Sequence, residues 1–129
     1  MFDNVNWNKI INNILSYIEK DWKYLIIKAD ISQTSYSSKF YYSKNNSEFI
    51  DLYNVIEREK ISVVNSDTMS ELKKITEKFN DYKEEMFLTI NVENKGNVKV
   101  IYRDIKEGNK LPWDENRKHL QLNENDKIM

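Results

Sequence analysis

Residues 86–105, MFLTINVENKGNVKVIYRDI, decide the fold. Met86, Leu88, Ile90 and Val92 alternate with Phe87, Thr89, Asn91 and Glu93, and after Asn94-Lys95-Gly96 the alternation resumes with Val98, Val100 and Tyr102. A period of two on both sides of a short polar loop is a β-hairpin. The loop is three residues long, with Gly96 where a positive φ is wanted. The predicted register sets Val92 opposite Val98, Ile90 opposite Val100 and Leu88 opposite Tyr102, so one face of the ribbon is apolar. A lone hairpin is marginal in water, so another part of the chain must cover that face.

Upstream, Met69, Leu72, Ile75, Phe79, Tyr82 and Met86 step by three and four, which predicts a helix over Ser66 to Glu85 running into the hairpin. Thr68 with Glu71 fits a capping box, Ser66 and Asp67 are alternative caps, and Glu84-Glu85 falls on the polar side. Glu57 to Asn65 reads as a connection carrying a short apolar patch at Ile61, Val63 and Val64. Before it, Phe49 to Ile56 is a predicted strand, entered by a turn at Lys44-Asn45-Asn46-Ser47. Tyr36 to Tyr42 is a strand whose serine and lysine positions imply a wet face, and Gln33-Thr34 turns back to a strand over Trp22 to Ile31. The Leu25-Ile26-Ile27 run predicts burial of that strand on much of both faces. Trp7, Ile10, Ile11, Ile14, Leu15 and Ile18 predict an amphipathic helix over about residues 4 to 20, capped by Asp3 or Asn4.

Downstream of the hairpin the pattern fades. Residues 106–129 read as a poorly patterned tail with a short helix from Pro112 to about Leu120 and frayed last residues. No repeat or linker divides residues 1–129, so the reading is one domain. Its order is αβββαββ, an α+β two-layer sandwich in which both helices cover one face of a mainly antiparallel five-stranded sheet.

Composition narrows the function. The 129 residues carry a formal net charge of −1, which argues against nucleic acid as a direct partner. The chain has no cysteine, so disulfides, thiolate catalysis and cysteine metal sites are out. No apolar run reaches membrane-span length and the first residues lack a signal-peptide pattern, so the expectation is a cytosolic protein with no membrane partner. His119 is the only histidine; with no partner in the pattern to orient it, it reads as a surface residue. The only glycines are Gly96 and Gly108, which excludes a phosphate-cradling loop. No catalytic, metal or cofactor site is expected, and the chain is read as not being an enzyme.

Tyrosine is the informative residue. Tyr24, Tyr36, Tyr41, Tyr42, Tyr53 and Tyr102 all fall on predicted strands, more than one small core can take; tyrosine on a wet sheet face is usual, which is the structural reading, and the other is protein recognition, since tyrosine anchors protein surfaces at low entropic cost. The candidate partner-binding residues are Tyr41, Glu48, Asp51, Tyr53, Glu57 and Asp104, with a second patch at Trp113-Asp114-Glu115 that packing against the sheet edge explains equally well. The alternative use of the same tyrosines is a small-molecule or peptide-binding regulatory module, with Tyr36, Phe40 and Tyr53 lining a pocket.

The succession of elements resembles the YezG-like antitoxin family. The features that carry the resemblance are Glu19-Lys20-Asp21-Trp22 after the first helix, Ala29-Asp30-Ile31 in the next strand, Phe40-Tyr41-Tyr42, the Ser47-Glu48-Phe49 turn, and residues 89–104 of the hairpin. The likeness covers roughly residues 8 to 105. It departs from the family at Glu84-Glu85-Met86-Phe87, where the family has a Pro-Trp-Thr-like step, and in lacking an aromatic C-terminal segment. The resemblance implies a cytosolic bacterial immunity protein that binds and neutralises a cognate toxin, a basic nuclease-like protein, without catalytic residues of its own. Another immunity lineage, such as those that protect against contact-delivered toxins, shares the same general α+β plan.

Overall fold

The computed structural model describes residues 5–32, 36–45, 47–77, 83–106, 118–123 and 126, with the side chains of 75–77, 83–85 and 103–106 left aside. Helix α1 (Trp7–Leu15) is followed by β1 (Tyr24–Ser32), β2 (Tyr36–Ser43) and the two-residue β3 (Ile50–Asp51), then by α2 (Arg58–Glu77), β4 (Lys83–Glu93) and β5 (Val98–Lys106). The sheet is antiparallel and open, in the order β3-β2-β1-β4-β5.

The hairpin forms in the predicted register, Val92 opposite Val98, Ile90 opposite Val100 and Leu88 opposite Tyr102. Its closing pair is Glu93 and Asn97, with Glu93 N–H donating to the Asn97 carbonyl at 3.1 Å. The positive φ, +60°, belongs to Lys95 rather than to Gly96. Glycine is needed at position 96 for a different reason: a Cβ there would lie 2.6 Å from Glu93 Oε2 and 2.8 Å from Glu93 Cβ. The loop also holds the start of β1, because the Asn94 side-chain amide donates to the Trp22 carbonyl at 2.7 Å and its backbone N–H to the Lys23 carbonyl at 2.9 Å.

One face of the sheet carries Leu25, Ile27, Ala29 and Ile31 from β1, Phe40 and Tyr42 from β2, and Met86, Leu88, Ile90 and Val92 from β4. Ile10 and Ile14 of α1 and Ile61, Val64, Met69 and Leu72 of α2 close over it, so both helices lie on that face as expected. On β5 the half-buried Val100 packs against the core, while Val98 and Tyr102 remain 37% and 40% exposed.

Four elements differ from expectation. Helix α1 ends at Leu15, where Ser16 turns the chain and Tyr17 N–H bonds back to the Ile14 carbonyl; Tyr17 and Ile18 still pack on the core, which is why their spacing resembled more helix. The third strand stops after Asp51, whose carboxylate accepts the Tyr53 N–H at 2.9 Å and starts a single 3-10 turn over Leu52–Asn54. Helix α2 starts at Arg58 and not at Ser66, so Ile61, Val64, Thr68 and Leu72 form its buried stripe, and Glu84-Glu85 belongs to β4. The capping box is absent, since Thr68 and Glu71 sit inside the helix. Glu71 instead reaches another helix start: its Oε1 accepts the backbone N–H of Asn6, the N-cap of α1, at 2.9 Å. The predicted turn at Gln33-Thr34 lies outside the described residues.

The second face of the sheet is the largest departure. The wet surface inferred from β2 holds at exposed Ser37 and half-buried Lys39 but gives way to cover from Tyr41 across to β1 and β4. Ile26, Lys28, Tyr41, Phe87, Thr89 and Asn91 are all buried there. Residues 118–123 and Asp126, expected to lie in a weak tail, are packed against it: Tyr41 Oη donates to the Leu120 carbonyl at 2.8 Å, and Lys28 Nζ lies 3.0 Å from Asp126 Oδ2. Asp126 is locked in place by Asn123, with Asn123 N–H donating to Asp126 Oδ2 and Asp126 N–H to Asn123 Oδ1.

Candidate functional site

Where β2 meets the short β3, side chains alternate across the sheet, so Asp51 accompanies Tyr41 on the second face while Ile50 accompanies Tyr42 on the helix face. This edge gathers three of the predicted residues. Lys39 Nζ lies 2.6 Å from Asp51 Oδ2 and 4.7 Å from the centre of the Tyr53 ring. The Tyr53 ring runs parallel to buried Phe40 with centroids 6.5 Å apart, and its hydroxyl donates to the Ser38 carbonyl at 2.9 Å, beyond the point where β3 pairing ends. Tyr53 keeps 38% of its surface exposed.

A groove of about 310 Å³ opens beside this cluster, lined by Lys39, Tyr41, Asp51, Leu120 and Gln121. Across β3 a second groove of about 280 Å³ is lined by Glu19, Lys44, Asn45, Glu48 and Ile50. There Lys44 Nζ sits 2.6 Å from Glu19 and 3.6 Å from Asp21, and the hydrogen bond to Glu19 above all raises its pKa. Asn45 Oδ1 accepts the backbone N–H groups of Ser47 and Glu48, an Asx turn that fixes how Glu48 is presented.

The ionisable groups of the first groove are committed to one another. Tyr41 is 8% exposed and its phenol is pushed up to about 12, by burial first and then by Asp51 and Asp126, so it stays a neutral donor. Burial, more than Asp51, also raises Tyr53. Asp51 is shared between Lys39 and the Tyr53 N–H. Among the described residues no group of three or more histidine, cysteine, aspartate or glutamate side chains could hold a metal ion. The arrangement presents charge and aromatic surface.

Tyr41, Asp51 and Tyr53 therefore come together, but Tyr41 lies beneath the C-terminal segment and is not the exposed anchor expected. Glu48 and Glu57 are exposed on the same connection, Glu57 beside Lys60 at 3.9 Å. Asp104 falls at the register position opposite Met86, on the strand at the far edge of the sheet from β3. Trp113, Asp114 and Glu115 lie outside the described residues. Of the residues suggested for the alternative pocket, Phe40 and Tyr53 stack on one another with Phe40 buried in the core, and Tyr36 stands against Lys73, whose Nζ is 4.9 Å from its ring centre.

Sequence reasoning missed the polar layer under residues 118–123 and Asp126. His119 is no idle surface residue: its Nε2 lies 3.0 Å from the Ala29 carbonyl and 3.3 Å from that of Leu88, and its ring stacks on Phe87 at 4.4 Å. Since both partners only accept, Nε2 carries the proton. A signal was present at Lys28, a cation inside an apolar run predicted to be buried on both faces, which requires an opposite charge from elsewhere in the chain. Nothing in the sequence pointed to Asp126 as that charge.

Compared with protein-family models and with curated proteins, the chain finds no match. No helix among the described residues is long and apolar enough to cross a membrane.

Proposed function

We propose that this chain is an immunity protein that binds a cognate bacterial toxin, a basic nuclease, in the cytosol and blocks it by stoichiometric contact. The observation that carries the reading is the strip from Glu48 to Glu57. Along the chain it sets the exposed carboxylates of Glu48 and Glu57 before and after two side chains held in the open, Tyr53 at 38% and Val55 at 57% exposure, with Asp51 held between Lys39 and the Tyr53 N–H. Carboxylates on such a surface steer a basic partner and set its register, while a tyrosine whose ring and hydroxyl are already held costs little entropy to bury. The family resemblance supports the same reading.

The test uses the toxin encoded beside this gene. It is expected to co-purify as a one-to-one complex, to lose activity in it, and to associate more slowly as salt rises. Glu57→Lys should act mainly on the association rate, and Tyr53→Ala on dissociation, by about tenfold or more if it is an anchor. An adjacent product that shows no binding at micromolar concentration, or inhibition untouched by both substitutions, would remove the proposal. The groove of about 310 Å³ favours the second reading, a small-molecule or peptide-binding module, and a ligand whose affinity falls on Lys39→Met would establish it.

A further inference from the structure

The described part of the C-terminal segment is attached to the second face by a few polar contacts, one of them made by an imidazole. Its attachments are the Tyr41 hydroxyl on the Leu120 carbonyl, the Lys28–Asp126 pair, and the His119 Nε2–H shared between the carbonyls of Ala29 and Leu88. We propose that residues 118–123 and Asp126 form a strap that lets go of the sheet on acidification, with His119 as the proton acceptor that triggers release and bares the apolar face around Ile26 and Phe87.

The geometry requires His119 to be neutral when the strap is closed. A second proton would put a cation over the middle of the sheet, stacked on Phe87, on the face that also buries the Lys28 ammonium. Burial first, and the Lys28 charge second, hold the imidazole below its ordinary 6.5, and together they outweigh the two carbonyls and Asp126, which favour the cation. Among the described side chains, Asp30 of β1, the register partner of Phe87, shares the face, Tyr41 of β2 is a neutral phenol, and Lys118 adjoins His119 in the strap; Arg103 of β5 is the other register partner of Phe87. The Lys28–Asp126 pair is the element most exposed to the change, because it is buried and depends on the strap staying down.

The sign follows from linkage. In the open strap His119 titrates near 6.5, and in the closed strap below it, so the open form binds more protons between the two values. Closure is complete above the upper value and weakens as pH falls through the window. The device is independent of which partner the protein binds.

His119 is the single histidine, so its Cε1–H resonance can be followed alone while hydrogen-exchange protection factors are measured for the Asn123 and Asp126 amides, both bonded within the strap. From about pH 7.5 to about pH 5, the range over which an imidazole changes charge, both protections should fall with the imidazole midpoint, by up to about tenfold per pH unit. The Ile27 and Ile90 amides in the core should keep theirs. His119→Phe retains a ring to stack on Phe87 and cannot titrate, so its strap protection should stay level. Strap protection that holds while His119 protonates, a midpoint at or above the ordinary histidine value, or the same loss in His119→Phe would each overturn the proposal. Should that variant not fold, coincidence or separation of the two wild-type midpoints decides.

Discussion

Three residues show how single positions depart from their local rules. Lys95 takes a left-handed conformation at φ +60°, which a side chain disfavours. Lys95→Gly should therefore raise stability by about 0.5 kcal/mol in denaturant melts. Gly96→Ala should lower it by about 1 kcal/mol, because the added methyl meets the Cβ of Glu93 at 2.8 Å as well as its flexible carboxylate. Thr68 is fully buried on α2 with a hydroxyl oxygen that has no hydrogen-bond partner among the described residues. Thr68→Val keeps the shape and removes the unpaired group, and a gain of about 1 kcal/mol in the same melts is the expected result. The sequence pattern points to Gly96 as the positive-φ residue and to Thr68 as a helix cap, and the structure gives each a different role. The residue types were informative, but the job each performs depends on contacts from beyond its own segment.

At the scale of elements, what was legible followed the strength of the periodicity. The hairpin pairs of β4 and β5 and the double burial of β1 could be read directly, since alternation fixes which side chains share a face. Helix α2 was placed too late because Ile61, Val63 and Val64 look like strand residues, although Ile61 and Val64 face the core from a helix. Leu72 is fully buried at the centre of that helix stripe, so Leu72→Ala should cost about 2–5 kcal/mol in unfolding free energy. The strap could not be read, because a segment held by scattered polar contacts has no period. Its central pair is open to a double-mutant cycle. Lys28→Met alone leaves a buried carboxylate unpaired and should cost about 3–5 kcal/mol, whereas Lys28→Met with Asp126→Leu should recover most of that loss. Of the candidate site, the acidic strip from Glu48 to Glu57 was visible as composition. The contribution of Lys39, Leu120 and Gln121 was not, because it depends on how β2 meets the strap.

The molecule as a whole is a sheet sealed in two different ways, by apolar helices on one face and by a thin polar strap on the other. The two seals respond differently to acid. His119 sits below its ordinary value, so stability falls as pH drops beneath 6.5. Glu71, held below its ordinary 4.5 by Lys74 first and by the Asn6 N–H second, contributes stability that is present above that value and is lost as pH falls further. Melting temperature against pH should therefore decline in two stages, the upper removed by His119→Phe and the lower by Glu71→Gln. The Lys28–Asp126 pair joins positions 98 apart in sequence. Translation therefore delivers the strands first and the residue that neutralises Lys28 long after them. Until position 126 has emerged, the nascent chain carries an unmatched cation and a bare Phe87 in its most central strands, an interval in which self-association or chaperone capture competes with completion.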